Sequence, residues 1–173
     1  RTVHLATALL GDPVGAAAFG ACFALILFAA ARHKFAEPLM FEAALEAYRL
    51  LPLSSAGVIA RLLPVVEILI GVGLLVPATR SVSLLGFAAL MALYAFAMVI
   101  NLLRGRSQID CGCGAEVHLL SWALVARNAL LAAIAVLVSA PGQGRELQWL
   151  DGVTLVGGAL SLYAAYLLFD ELL

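Results

Sequence analysis

Charge is scarce in this sequence. Only 12% of its 173 residues are Asp, Glu, Lys or Arg, whereas 64% are hydrophobic, and the mean hydropathy is +1.07. Soluble domains carry about 25% charged residues, so this composition points to a membrane protein. A basic excess is missing too. Ten Lys+Arg stand against eleven Asp+Glu, a net charge of -1 that provides no field for a phosphate backbone and excludes nucleic-acid binding. Cysteine is limited to three residues, too few for a disulfide scaffold. Cys111 and Cys113 stand close together, whereas Cys22 lies in an apolar run and reads as a small core residue. No charged n-region followed by a small-residue cleavage site opens the chain, so the first apolar segment is expected to stay in the mature protein. Internal repeats are lacking, and Gly71-Val72-Gly73 has no preceding strand that would make it a nucleotide loop.

What remains is apolar sequence punctuated by charge. At 1.5 Å per residue, about 20 residues cross the hydrocarbon core. Five stretches are read as spans: about 14–31, 62–78, 82–103, 119–140 and 153–169. Backbone groups in lipid must satisfy one another within the segment, so all five are read as helices. The expectation is one all-α domain over residues 1–173, a polytopic transmembrane bundle in the inner (plasma) membrane. Between the first two spans, Pro38 suits the first position of a helix, and Glu42, Glu46 and Arg49 fall opposite Phe41, Leu45 and Tyr48. That pattern predicts an amphipathic helix over about 39–51, lying at the interface or packed as a cap over the bundle. Gly20 and Ala24, Gly71 and Gly73, and Gly157 and Ser161 are small enough to let helices approach closely.

Two charges fall inside spans, Glu67 and Arg127. An unpaired charge at such depth costs about 2.5–3.5 kcal/mol even on lenient scales. The cheapest arrangement pairs Glu67 with Arg127 across the bundle, with Asn101, Asn128 and Arg61 supplying further donors and acceptors. Such a polar centre serves a proton path or a ligand cavity, or it simply fixes helix register. His33 and Lys34 follow the first span directly and read first as interfacial side chains that snorkel, with Lys34 a candidate member of the polar centre.

The constellation with most chemical content is Asp110-Cys111-Gly112-Cys113-Gly114, between the third and fourth spans. Two cysteines separated by one residue approach the roughly 7 Å limit for a disulfide when extended, so the chain must turn to close the bond. Gly112 and Gly114 permit that turn. A disulfide in so small a ring is strained and readily reduced, a property of exchangers more than of staples. Arg104 and Arg106 favour thiolate while Asp110 and Glu116 oppose it. Catalytic exchange by Cys111 and Cys113 is therefore one reading; a soft-metal site for Cu(I) formed with His118, or an idle pair, are the others.

Taken in order, these features resemble the MauE family within the DoxX-like membrane proteins. The matching stretch runs over about 28–131 and includes Lys34, Glu37-Pro38, Phe41, Tyr48, Leu51-Pro52, Leu63-Pro64, Glu67 and Gly71. It continues through Asn101-Leu102 and Arg104-Gly105 to Cys111-Gly112-Cys113-Gly114 and Arg127-Asn128. Family members often carry Cys-Gly-Cys-Phe-Gly, whereas here Gly114 follows the second cysteine directly. The resemblance implies a four-helix core with a fifth span added, and a redox-active Cys111–Cys113 disulfide. It also implies a thioredoxin-like partner and a role in maturing an exported protein, such as the methylamine dehydrogenase small subunit. Apart from the resemblance, no bound cofactor is expected beyond the redox-active Cys111–Cys113 pair, with a quinone or Cu(I) as the alternatives. Competing functions are a non-enzymatic assembly factor or scaffold for a redox or copper-containing partner, in a membrane complex, and a small-molecule transporter.

The distribution of positive residues raises a conflict. Arg1, Arg80 and Arg145 fall on one face, and Arg32, Lys34, Arg49, Arg104 and Arg106 on the face of the cysteines, with Arg61 near the boundary. Counting them places the cysteines on the cytoplasmic side, whereas an exported client needs them outside. Either redox equivalents cross the membrane, or the arginines serve the thiols and distort the count.

Overall fold

The computed structural model describes residues 13–50, 52–109, 119–140 and 149–171. Among the described residues the chain forms helices α1 (Pro13–Ala36), α2 (Pro38–Tyr48), α3 (Leu53–Leu75), α4 (Arg80–Leu103), α5 (Trp122–Val138) and α6 (Trp149–Glu171). The fold is an all-helical bundle. Pro13–Ala36, Ser54–Leu75, Arg80–Leu103 and Asp151–Leu168 are long and apolar enough to cross a membrane. The fifth apolar helix, α5, has 17 residues, about 25 Å at helical rise and therefore at the lower end of spanning length.

Local chemistry sets the boundaries. Glu37 precedes a proline and leaves the helical region at φ -129°, ψ 64°, separating α1 from α2. Arg49 then adopts a left-handed conformation at φ 49°, ψ 39° and donates its N–H to the Glu46 carbonyl, ending α2 before the expected 51. Helix α3 begins at Leu53, well before the expected 62, because Arg61 lies on its exposed surface and does not interrupt it. At its other end, Val76 turns extended before Pro77. The Thr79 hydroxyl and Arg80 Nε donate to the carbonyls of Gly73 and Leu74 at 2.9 and 3.2 Å, satisfying groups left over at the helix end. Ser121 caps α5 by accepting the Leu124 N–H at 3.2 Å.

Helix α1 is the hub of the bundle, packing on α3 and α6 and touching α2, α4 and α5, while α4 packs on α5 and α3. Its buried stripe, Ala17, Gly20, Ala24, Leu27, Ala31 and Lys34, repeats at intervals of three and four. Phe23 of α1 stacks on Phe87 of α4 with ring centroids 4.3 Å apart. Cys22 is a free thiol in this core. Close approach of α1 and α3 depends on Gly71, where an added Cβ would lie 2.6 Å from the Phe28 ring. Gly157 differs, because it faces open space and draws no helix in. Helix α6 is peripheral, with Val153, Val156, Leu160 and Leu168 exposed. Helix α2 is both amphipathic and a packed cap: Phe41 and Tyr48 are buried while Leu39 and Met40 are exposed.

Candidate functional site

Glu67 pairs with Lys34, not with Arg127. The Lys34 ammonium donates to Glu67 Oε1 at 2.6 Å, and the Tyr94 hydroxyl donates to the same oxygen at 2.7 Å. Three helices, α1, α3 and α4, thus meet at one carboxylate. Lys34 is 3% exposed and Glu67 0%, so the pair has left water entirely. Burial of that kind is tolerated only with close partners, and the Phe41 and Tyr94 rings supply more, lying 5.2 and 5.7 Å from Lys34 Nζ. Glu67 Oε2 has no hydrogen-bond partner among the described residues.

The other expected members of the polar centre make contacts of their own. Asn101 donates to the Ala97 carbonyl one turn back on α4 at 3.1 Å. Asn128 donates to the Met98 sulfur at 3.8 Å, joining α5 to α4. Arg127 places its guanidinium 5.8 Å from the ring centroid of Tyr166 on α6. Arg61 is exposed, and His33 is partly exposed.

The end of an apolar run beside Arg32 and His33 is the pattern of an interfacial side chain, which is why the sequence assigns Lys34 to the interface. The signal against that assignment lies in the periodicity: Lys34 continues the buried stripe Gly20, Ala24, Leu27, Ala31. Glu67 likewise occupies the stripe Ala60, Pro64, Glu67, Gly71, Leu74 on α3, all buried. Charges on two facing stripes are natural partners.

Cys111, Cys113 and His118 lie outside the described residues. Gly105 turns the chain out of α4 at φ 70°, and Arg106 returns its N–H to the Asn101 carbonyl at 2.9 Å. The Arg106 guanidinium donates to the Ala47 carbonyl of α2 at 3.3 Å, tying the exit of α4 to the cap helix. Leu120 then donates its N–H to the Ile109 carbonyl at 3.0 Å, so the chain enters and leaves the cysteine segment at one point. That point rests on a cluster of Tyr48, Met98, Leu120 and Leu124, with Leu50, Leu102, Ile109 and Val125 around it. Tyr48, Leu50 and Met98 of this cluster also line a cavity of about 430 Å³, which takes in Lys34 and Tyr94 and is otherwise almost wholly apolar.

No solved structure matches the chain. The relatives it resembles include Methylamine utilization protein MauE of Paracoccus denitrificans, 40% identical over 118 residues, 67% of this chain and 63% of that protein. The protein of the same name from Paracoccus versutus is 37% identical over 117 residues, 66% of this chain and 63% of its own length. That of Methylorubrum extorquens AM1 is 39% identical over 127 residues, 72% of this chain and 68% of its own. The match thus spans less than two thirds of the first two relatives. The family model described as Methylamine utilisation protein MauE matches residues 13–141, which takes in α1 to α5 and stops before α6. On that match the chain belongs to the MauE family.

Proposed function

We propose that the protein is an inner-membrane thiol–disulfide exchanger that assists the maturation of an exported protein, with Cys111 and Cys113 as its reacting groups. The observation that supports this most is the anchoring of their segment. Its flanking residues Ile109 and Leu120 are joined by a hydrogen bond and packed on the Tyr48–Met98 cluster, which fixes where the segment leaves and rejoins the bundle. In the exchange, one cysteine thiolate attacks a sulfur of a partner's disulfide and expels the partner's second sulfur as thiolate. The other cysteine then attacks the mixed disulfide. Two electrons pass to the partner, which leaves as a dithiol, and Cys111 and Cys113 remain as a disulfide; the reverse sequence oxidises a client. The relatives' names favour a client used in methylamine utilisation, and the methylamine dehydrogenase small subunit, together with a thioredoxin-like partner, is the assignment we adopt.

Lys34 is no loop charge, being buried and paired with Glu67, and this removes one vote for a cytoplasmic cysteine segment. The test is trapping. Cys113→Ser or Cys111→Ser should accumulate a mixed disulfide with a partner, seen on non-reducing gels and identified by mass spectrometry. Absence of an adduct with both variants, combined with full host activity of the double serine variant, overturns exchange and leaves a scaffold role. Impermeant maleimide labelling in intact cells, before and after reduction, reads the side on which the pair lies.

A further inference from the structure

We propose that the cavity between α1, α2, α3 and α4 binds a lipid-soluble quinone. Its walls include four aromatic rings, those of Phe41, Tyr48, Tyr94 and Phe96. Its volume of about 430 Å³ accommodates a substituted ring and the start of a tail. Leu93 and Phe96 line it and are 57% and 63% exposed on the bundle exterior, so it opens where lipid would lie and a long tail can leave by that route.

The polar corner selects the head group. Lys34 lines the cavity, is almost fully buried, and makes one hydrogen bond among the described residues, to Glu67 Oε1. An ammonium has three donors, so two remain for an acceptor in the cavity. Tyr94 directs its hydrogen at Glu67 and is not the competing donor there. Because Lys34 and Glu67 already sum to zero charge, a carboxylate ligand would add an uncompensated negative charge in a low-dielectric site. A bare acyl chain offers the ammonium nothing. A neutral, flat molecule with a carbonyl on its ring satisfies both the donor and the aromatic walls.

This site also deepens the exchange reading. Tyr48 and Met98 line the cavity and belong to the cluster that packs on Ile109 and Leu120, the residues flanking the cysteine segment. There the quinone is the electron acceptor: two S–H bonds break, the S–S bond forms, and two electrons with two protons convert both ring carbonyls to hydroxyls. That use rests on the thiol function proposed above, whereas binding itself does not.

The test is equilibrium binding of decylubiquinone to the full chain in detergent, read by quenching of intrinsic fluorescence. Saturable binding is expected, and Ala97→Phe, which fills the cavity without touching the ion pair, should abolish it. The Lys34→Met, Glu67→Gln double variant, which removes the ammonium without stranding a charge, should weaken it roughly tenfold. Binding that is absent, that is unchanged by Ala97→Phe, or that is displaced equally well by an alcohol with the same decyl tail overturns the site. Binding should be the same in the Cys111→Ser, Cys113→Ser variant, and its loss there overturns the placement of the site in the helical cavity. Under anaerobic conditions the reduced wild type should form one quinol per chain while the double serine variant forms none. Intact binding with no quinol from the wild type retains the site and refutes its link to the thiols.

Discussion

The α1–α3 side of the bundle and the α5–α6 side both bury charge, but they satisfy it differently. On the first side, Lys34 and Glu67 meet at 2.6 Å with Tyr94 on the same oxygen, and the helices carrying them are drawn together at Gly71. On the second, Arg127 lies over the Tyr166 ring, Asn128 reaches a thioether and Asn101 bonds to its own helix, while Gly157 faces open space. A short ion pair requires three helices to hold one register, whereas the thioether contact of Asn128 and the one-turn hydrogen bond of Asn101 tolerate a slide of a fraction of a turn. The first side is therefore built to be rigid where the cavity and the cap helix adjoin it.

The difference is sharpest when Glu67 is removed. Glu67→Leu strands the Lys34 ammonium in the core, and we expect a loss of about 3–5 kcal/mol, read as a fall in the denaturation midpoint in detergent. Adding Lys34→Met should restore much of that loss. A single variant no less stable than the double would break the contrast, since the pair would then not be what fixes the register.

Tyr94→Phe removes one of two donors to Glu67 Oε1 and keeps the ring beside Lys34. The expected cost is about 1.5–3 kcal/mol, the range for hydrogen bonds to a charged group. Gly71→Ala tests packing without touching charge. Its Cβ would lie 2.6 Å from Phe28 Cε1, so the ring or the helix must move, at about 1–3 kcal/mol. If the midpoint does not change, the close approach of α1 and α3 is softer than the ion pair requires.

Much of this was legible in the sequence, for identifiable reasons. Helix content followed from the long apolar runs and the need for backbone pairing in lipid. The family followed from Glu67, Asn101, Cys111-Gly112-Cys113 and Arg127-Asn128 taken in order. The start of α3 was misplaced because Arg61 was treated as a boundary, although a charge on an exposed helix face interrupts nothing. The partner of Glu67 was missed because depth was inferred from distance to the nearest charges; the stripe on which Lys34 falls was the better guide. The cavity could not be read at all, because its walls come from α1, α2, α3 and α4 and no local pattern records their meeting.

The smallest effect belongs to the looser side. An alanine Cβ at Gly157 meets nothing within 4 Å, so Gly157→Ala adds no clash and relieves the conformational entropy that glycine loses in a helix. The expected change is a gain of at most about 1 kcal/mol in the same denaturation assay, opposite in sign to Gly71→Ala. Opposite signs for one chemical change on two helices would sharpen the contrast without disturbing any polar group. A loss at Gly157 comparable to that at Gly71 would mean that α6 is held as closely as α3, by something packed on its outer face in the membrane, such as a second copy of the chain.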